Sequence, residues 1–392
     1  MITRYLEHEI ESDLKEKMAF VSGPRQVGKT TLALNLGAKF YPQKTLYLNW
    51  DDRNDRKNML EGRFHAGKTF LIFDEIHKYK NWKNYLKGIY DKNKKNLKII
   101  VTGSARLDIY RKGGDSLLGR YRNYRLHPLS LNELLNKKSR YALFKPLEFG
   151  NGTKETAEIL AALMKFGGFP EIYTKQSEKR LRQWHNERTD MLIKEDIRDI
   201  ENIRDLSALQ ILVEILPERA ASLLSLNSIR EDLSVNHKTA ALWLDVLERF
   251  YLHFRVYPYQ SSRIRALKKE SKLYLWEWSE IKNDGVKFEN LIGAHLLKFV
   301  NYIFDSEGYK TRLCYLRDRE QRETDFLVTA DNKPWFAVEV KSSAKNVSTP
   351  LKYFTAKLNI PFSYQVVNET GVDFVQNGVR VVSADKFLTA LV

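Results

Sequence analysis

The sequence lacks the features of a secreted or membrane-spanning protein. Its single cysteine, Cys314, excludes an intramolecular disulfide and suggests a reducing compartment. No apolar run approaches the ~18 residues that a membrane-spanning helix needs, and the charged stretch 1–11 does not have the pattern of a signal peptide. We therefore expect a cytoplasmic protein with no membrane partner.

Acidic residues are scarce relative to basic ones. The 392 residues include 65 Lys and Arg against 49 Asp and Glu, which leaves a net charge of +16. This balance favours an anionic partner, and nucleic acid is the first candidate, although a basic surface that only keeps the protein soluble gives the same count. With 43% apolar residues, the chain can bury the cores of about two to three domains.

One glycine-containing stretch fits the phosphate-binding pattern G-x-x-x-x-G-K-[ST] without a mismatch. The residues that we expect to bind nucleotide are Gly23, Pro24, Arg25, Gln26, Val27, Gly28, Lys29, Thr30 and Thr31. The apolar run 18–21 before them predicts a buried strand, and 31–36 after them predicts the first turns of a helix. In that context the backbone N–H groups and the helix N-terminus hold a triphosphate. Lys29 reaches the β- and γ-phosphates, and Thr30 ligates Mg²⁺.

Two acids follow the strand predicted at 69–73. Asp74 and Glu75 end this apolar run in the pattern of a Walker B element. Asp74 would hold Mg²⁺ through water, and Glu75 would polarise the attacking water as the general base. The sequence therefore predicts ATP hydrolysis as well as ATP binding.

Two further residues are candidates for contact with the phosphates. Ser104 follows the strand predicted at 97–102 and is either a polar sensor for the γ-phosphate or part of an ordinary turn. Arg120 follows Gly119 in a stretch that also contains Arg106 and Arg111. It is the candidate arginine finger, in cis or from a neighbouring subunit, or else one of several solvated basic side chains.

At these motifs the chain resembles the AAA-type ATPases of bacteria and archaea that carry a C-terminal domain of unknown function. The matching stretches are GPRQVGKTTL at 23–32, LIFDEIH at 71–77, TGS at 102–104, LLGRYRNYRLHPLSLNEL at 117–134, GGFP at 167–170 and the segment 322–341. The resemblance implies an ATPase that uses ATP and Mg²⁺ on a parallel-sheet P-loop core. It also implies a homo-oligomer as one form of assembly, in which a subunit completes its neighbour's site.

The middle of the chain is predicted to be helical and to end in a winged helix-turn-helix. Helical spacing covers 155–166, 179–199, 207–216, 225–233 and 236–250, and the β-prone run 251–257 follows. The turn before the last helix would present His237, Lys238 and Thr239 to a major groove. Because that helix also carries Asp245 and Glu248, a structural role between domains stays open. A basic run beyond it either tracks phosphates or is a solvated hairpin: Arg263, Arg265, Lys268, Lys269 and Lys272.

The C-terminal part resembles the core of the PD-(D/E)XK nucleases, a restriction-endonuclease-like α/β fold. Glu289 lies on a predicted helix, Asp325 on a predicted strand, and Glu339 and Lys341 on or next to the following strand. Residues two apart on a strand leave the same face, so Glu339 and Lys341 can converge with Asp325. The resemblance implies that the three acids ligate Mg²⁺ or Mn²⁺ and that Lys341 orients a water. In the alternative, the fold grips a partner without cutting and the acids pair with Arg319 and Arg322.

We therefore predict a multidomain α/β chain in four parts. They are a P-loop AAA-type core at 1–145, a helical linker or lid at 146–205, a winged helix-turn-helix at 206–262, and a nuclease-like α/β domain at 263–392. Two functions stay open: an ATP-driven switch or motor on nucleic acid, and a nucleotide-gated regulatory protein that grips DNA or a protein partner without cleavage.

Overall fold

The chain folds into two compact units, Met1–His127 and Pro128–Val392. The structure is a computed structural model that describes residues 2–103, 117–137, 140–197, 203, 205–260 and 270–392. This division differs from the four parts predicted from the sequence. The last residues of the predicted ATPase core, from Pro128 onward, belong to the second unit, and the predicted middle and C-terminal parts fold together.

The first unit alternates helices and strands. Its helices are α1 Glu7–Asp13, α2 Lys29–Phe40, α3 Arg53–Glu61 and α4 Trp82–Asn93, and its strands are β1 Met18–Ser22, β2 Thr45–Asn49, β3 Phe70–Asp74, β4 Lys98–Thr102 and β5 Tyr121–Arg125. The Asp52 side chain caps α3 by accepting from the N–H groups of Asn54 and Asp55. Strands β1 and β3 are buried along their whole length, as expected for strands covered on both faces.

The strands of this unit form one parallel sheet in the order β2-β3-β4-β1-β5. The carboxyl ends of β1, β3 and β4 therefore meet at one edge, where open α/β sheets bind their ligands. Phe20, Phe73 and Trp82 belong to the apolar cluster on one face of the sheet. This packing fixes the ends of the strands and with them the loops that follow.

The second unit begins with helices. They are α5 Leu131–Leu134, α6 Lys154–Phe166, α7 Pro170–Lys175, α8 Glu178–Met191, α9 Leu206–Ile215, α10 Leu226–Asp232 and α11 His237–Arg249. Later in the chain come α12 Asp284–Glu307, α13 Thr349–Lys357 and α14 Ala384–Phe387. Polar side chains begin several of them: Thr153, Ser225 and Asn236 each accept from a backbone N–H of the first turn.

The strands of the second unit form one mixed sheet. They are β6 His253–Pro258, β7 Lys272–Leu275, β8 Arg312–Arg317, β9 Glu323–Ala330, β10 Lys333–Lys341, β11 Phe362–Val367, β12 Asp373–Gln376 and β13 Val379–Ser383. The strand order is β12-β13-β11-β10-β9-β8-β6-β7. Strand β6 pairs with β8 through Tyr257–Cys314 and Pro258–Tyr315, and antiparallel with β7. The predicted boundary at residue 262 therefore falls inside a continuous sheet.

A buried ion pair joins the first helix of this unit to its longest one. The Lys298 ammonium, on α12, donates to the Pro128 carbonyl at 3.2 Å, to Ser130 Oγ at 2.9 Å and to the Glu133 carboxylate. Both side chains of the pair are about 2% exposed. Glu133 also accepts from the Ser130 backbone N–H, so both charges lie in one hydrogen-bonded group.

Among the described helices of either unit, we find none with the length and apolar content that crossing a bilayer requires.

Candidate nucleotide site and C-terminal charged cluster

The phosphate-binding loop joins the carboxyl end of β1 to the N-terminus of α2. Gly28 precedes α2 in the left-handed region, with φ 96°, a conformation that glycine adopts without strain. Gly23 has no room for a side chain, since a Cβ there would lie 2.4 Å from the Leu126 carbonyl oxygen. The Lys29 ammonium donates to the carbonyls of Gly23 and Pro24 at 3.0 and 2.6 Å. It is thus held over the loop whose N–H groups would face a phosphate.

Asp74 lies at the end of β3 inside a group of hydroxyl donors. Its Oδ2 accepts from Thr30 Oγ1 at 2.8 Å and from the Tyr47 hydroxyl at 2.9 Å. Its Oδ1 accepts from Thr102 Oγ1 at 2.7 Å. Burial, and after it the charge of Asp74, raise the pKa of the Tyr47 hydroxyl, so that Tyr47 stays a donor. A hydroxyl and a carboxylate side by side form a hard-oxygen set that fits Mg²⁺ and its waters.

Glu75 follows Asp74 with a strained backbone. Its φ of 55° is in the left-handed region, which non-glycine residues occupy at a cost and often at functional sites. Its Oε2 lies 3.5 Å from His77 Nε2 and 3.7 Å from the Lys78 ammonium. Burial raises the pKa of the Glu75 carboxyl, although the Lys78 charge opposes this. A carboxylate whose pKa is raised is a better proton acceptor for an attacking water.

Arg120 does not lie at this edge of the sheet. Its carbonyl accepts from the N–H of Met18, the first residue of β1, whereas the phosphate-binding loop follows the last residue. Its guanidinium forms a bidentate ion pair with the Asp91 carboxylate, with nitrogen–oxygen distances of 2.7 and 2.9 Å. The prediction of an arginine finger in cis is therefore wrong, because the length of β1 separates Arg120 from the loop. A role in a neighbouring copy stays a prediction. Ser104, Arg106 and Arg111 lie outside the described residues.

The C-terminal acids do come close to one another. Glu289 is on α12, Asp325 on β9 and Glu339 on β10. The Asp325 carboxylate accepts from the Val340 N–H at 2.8 Å, and Lys341 pairs with Glu339 at 2.8 Å. Burial, followed by the charge of Asp325, raises the pKa of both glutamates.

A buried lysine lies among these acids. The Lys272 ammonium, on β7, is 2.6 Å from Glu323, 3.5 Å from Glu289 and 3.6 Å from Asp325. Burial alone would lower its pKa, but the charges of Glu289, Asp325 and Glu323 outweigh burial and raise it. The sequence assigned Lys272 to a basic run on a phosphate track or a solvated hairpin, and that assignment is wrong because the side chain is only 4% exposed. The other members of that run, Arg263, Arg265, Lys268 and Lys269, lie outside the described part of the chain.

The arrangement of these acids does not fit a metal ion as it stands. Within the described ranges, no group of three or more His, Cys, Asp or Glu side chains is placed to hold one. Clustered carboxylates need a positive charge nearby. The Lys272 ammonium supplies one beside Glu289, Glu323 and Asp325, and Lys341 supplies one beside Glu339. Of the expected partners Arg319 and Arg322, the second pairs instead with Asp318 and Glu320, and the first is exposed.

Helices α9 to α11 precede the antiparallel strands β6 and β7. His237 and Lys238 begin α11 and are exposed, and Thr239 is half-buried. Trp243 and Leu244 form part of its buried face. The acids that argued against DNA contact, Asp245 and Glu248, both pair with Arg255 of β6. Arg255 thus compensates one of these two negative charges within the unit.

Family models match three successive parts of the chain. Residues 15–135 match a model described as "AAA domain", and that range includes the loop, Asp74 and Glu75. This match supports the prediction of an AAA-type P-loop ATPase domain in this part of the chain. Residues 157–279 and 284–387 match two domains of unknown function, DUF8612 and DUF4143.

The chain is also similar to other proteins over longer stretches. The uncharacterized protein MJ1544 of Methanocaldococcus jannaschii is 26% identical over 381 residues, which is 90% of this chain and 81% of that protein. Among solved structures, the Thermotoga maritima RuvB Holliday junction branch migration motor is 17% identical, with a TM-score of 0.30 over 64% of this chain and 87% of its own. AMPPCP-bound DnaA of Aquifex aeolicus is 15% identical, with a TM-score of 0.28 over 62% of this chain and 86% of its own. Structural similarity at these two TM-scores supports no conclusion about what the chain binds.

Sequence reasoning missed four residues of these two sites. Tyr47 contacts Asp74 from the middle of β2, and Thr102 contacts it from the last residue of β4. The rule that parallel strands present polar residues at their carboxyl ends could have found Thr102. Glu323 lies two residues before Asp325 on β9, where the alternation of side chains places both on one face. Lys272 had no such local signal.

Proposed function

We propose that the chain is an ATP-hydrolysing switch or motor that acts on nucleic acid. The observation that carries the ATPase part is the contact between Thr30 and Asp74 beside the strained Glu75. Thr30 would ligate Mg²⁺, Asp74 would hold it through water, and the backbone of the loop with Lys29 would bind the phosphates. A bound Mg²⁺ would neutralise charge on the phosphate oxygens. Glu75 would then accept a proton from the attacking water.

The nucleic-acid part of the proposal is supported by charge and by α11. The net charge of the chain is +16. Arg255 pairs with both Asp245 and Glu248 and offsets one of their two charges. The exposed start of α11 presents His237 and Lys238. Three helices followed by an antiparallel strand pair are the elements of a winged helix-turn-helix, which inserts its last helix into a major groove. ATP turnover measured with and without single-stranded, duplex and branched DNA tests the whole proposal: a nucleic-acid machine is stimulated by at least one of them.

Lys238→Ala is expected to weaken DNA binding uniformly across sequences and to reduce the slope of log K against log salt by about 1, because one phosphate contact is lost. Fluorescence anisotropy over a salt series measures both quantities. Lys154→Ala is the matched control, since the Lys154 side chain is 92% exposed and lies on another helix of the same unit. Equal effects of the two changes would mean that the basic surface binds without using α11.

A second candidate function is that of a nucleotide-gated regulatory protein whose winged-helix and C-terminal domains grip DNA or a protein partner without cleaving it. The observation that favours it is Lys272, whose ammonium occupies the space among Glu289, Glu323 and Asp325. A nuclease would need these acids for metal ions, and a fixed lysine competes for the same oxygens. Nuclease activity is therefore the alternative that the next experiment tests.

Mn²⁺ titrated calorimetrically into the Lys29→Ala protein is expected to give the same heat as Mn²⁺ titrated into Lys29→Ala/Glu339→Ala. Lys29→Ala removes nucleotide from the first site, so any difference between the two proteins reports the C-terminal acids. Neither protein should nick duplex or branched DNA. Heat and nicking that are both lost with Glu339→Ala would overturn the grip and establish a metal-dependent nuclease. Lys29→Ala/Lys272→Met shows whether Lys272 is what keeps the metal out.

A further inference from the structure

Arg4 is a buried arginine whose side chain contacts the backbone of the phosphate-binding loop. It lies just before α1 and is 6% exposed. One nitrogen of its guanidinium donates to the Val27 carbonyl at 2.8 Å, and the other terminal nitrogen donates to the His127 carbonyl. Its backbone N–H donates to the Glu7 carboxylate at 3.0 Å. The side chain therefore connects the loop to the segment that follows β5, inside the first unit.

The Val27 carbonyl that accepts from Arg4 belongs to a peptide of the loop that can rotate at little steric cost. Val27 lies between two residues in the left-handed region, Gln26 with φ 61° and Gly28 with φ 96°. Gly28 has no Cβ, so the peptide between Val27 and Gly28 can turn over at little steric cost. In one orientation its N–H faces the phosphate position. In the other the carbonyl oxygen does, and it repels an anion.

A charge-assisted hydrogen bond to this carbonyl selects the first orientation. Bonds of this kind are stronger than those between neutral groups, and Val27 is fully buried, so no water competes for its oxygen. Since the same guanidinium is also bonded to His127, its position does not depend on the loop. Arg4 thus fixes the loop against the segment that follows β5.

We propose that Arg4 is a positioning residue for phosphate binding, which acts through the Val27–Gly28 peptide without touching the nucleotide. The inference rests on the ATPase assignment of this unit and adds to it a requirement outside the motif. It is distinct from a role in stability alone. Loss of folded protein lowers the active fraction and hence the apparent kcat, whereas a loop that spends time in the wrong orientation raises KM.

The test compares Arg4→Met, Arg4→Lys and Arg63→Met in the full-length protein. Arg63 is an exposed arginine of the same unit, and its guanidinium pairs with Glu61. Arg4→Met is expected to raise KM for MgATP about tenfold to a hundredfold, the range for one lost hydrogen bond to a charged group, with kcat within about threefold. Arg4→Lys, which keeps the charge and can reach one carbonyl, should fall between Arg4→Met and the unaltered protein. Arg63→Met should change neither constant.

A second measurement, of nucleotide binding, tests the proposal even if turnover is too low to determine KM. ADP binding by calorimetry should weaken in the same order, and circular dichroism identifies any variant that does not fold. An unchanged KM and ADP affinity in folded Arg4→Lys and Arg4→Met would overturn the role of Arg4. Absence of ADP and ATP binding by the unaltered protein would instead overturn the nucleotide site itself.

Discussion

Glu75→Gln is expected to keep ATP binding and to lose turnover by about a hundredfold to ten-thousandfold, the usual contribution of a general base. The amide has nearly the shape of the carboxylate and leaves Asp74 with its three hydroxyl donors, Thr30, Tyr47 and Thr102. It cannot accept the proton of the attacking water. Phosphate release under saturating MgATP measures the loss, and equilibrium binding of MgATP measures what is retained.

Two further variants serve as controls for Glu75→Gln. Lys29→Ala should abolish nucleotide binding, because it removes the ammonium that lies over the loop. Glu61→Gln, at the exposed end of α3, makes the same chemical change away from the site and should leave both quantities unchanged. Turnover by Glu75→Gln at the rate of the unaltered protein would show that another group activates the water.

Lys298→Met should destabilise the second unit by about 3–5 kcal/mol, the cost of leaving one charge of a buried pair without its partner. Glu133 would keep its backbone contact with Ser130 and lose the ammonium. The double change Lys298→Met/Glu133→Leu should recover most of the loss, because no uncompensated charge remains. Denaturant unfolding followed by tryptophan fluorescence measures the free energies of unfolding.

A lysine on the same helix provides the control for this experiment. Lys287 pairs with Asp284, whose side chain is 90% exposed. Asp284 would remain solvated without its partner, and pairs that reach solvent contribute at most about 1 kcal/mol, so Lys287→Met should have a small effect. Equal losses for Lys287→Met and Lys298→Met would mean that the cost comes from shortening any lysine on this helix.

The parts of the fold that followed from the sequence are those with a local cause. The strands predicted at 18–21, 45–49 and 69–73 lie at Met18–Ser22, Thr45–Asn49 and Phe70–Asp74, since apolar β-prone runs between turns have few other ways to be buried. The meeting of Asp325, Glu339 and Lys341 likewise followed from the alternation of side chains along strands.

The features that the sequence did not predict depend on contacts between distant residues. Strand β5 contains two arginines in five residues, and it forms because β1 offers it a parallel edge. Lys272 is buried only because α12 and β9 bring carboxylates to it from Glu289 and from Glu323 and Asp325. Its neighbours in the sequence are basic, and the number of basic residues there therefore predicted an exposed side chain.

The pairing of β6 with β8 affects how the chain can be divided. The two domains of unknown function meet between residues 279 and 284, yet β6 and β7 are the outermost strands of the sheet that β8 to β13 continue. A protein truncated at this junction would keep Lys272 and lose all three carboxylates that surround it. Its other half would present the unpaired backbone of β8 to solvent, a surface that invites association with other strands. The two domains are therefore expected to be inherited and exchanged together, and to be soluble only when expressed as one piece.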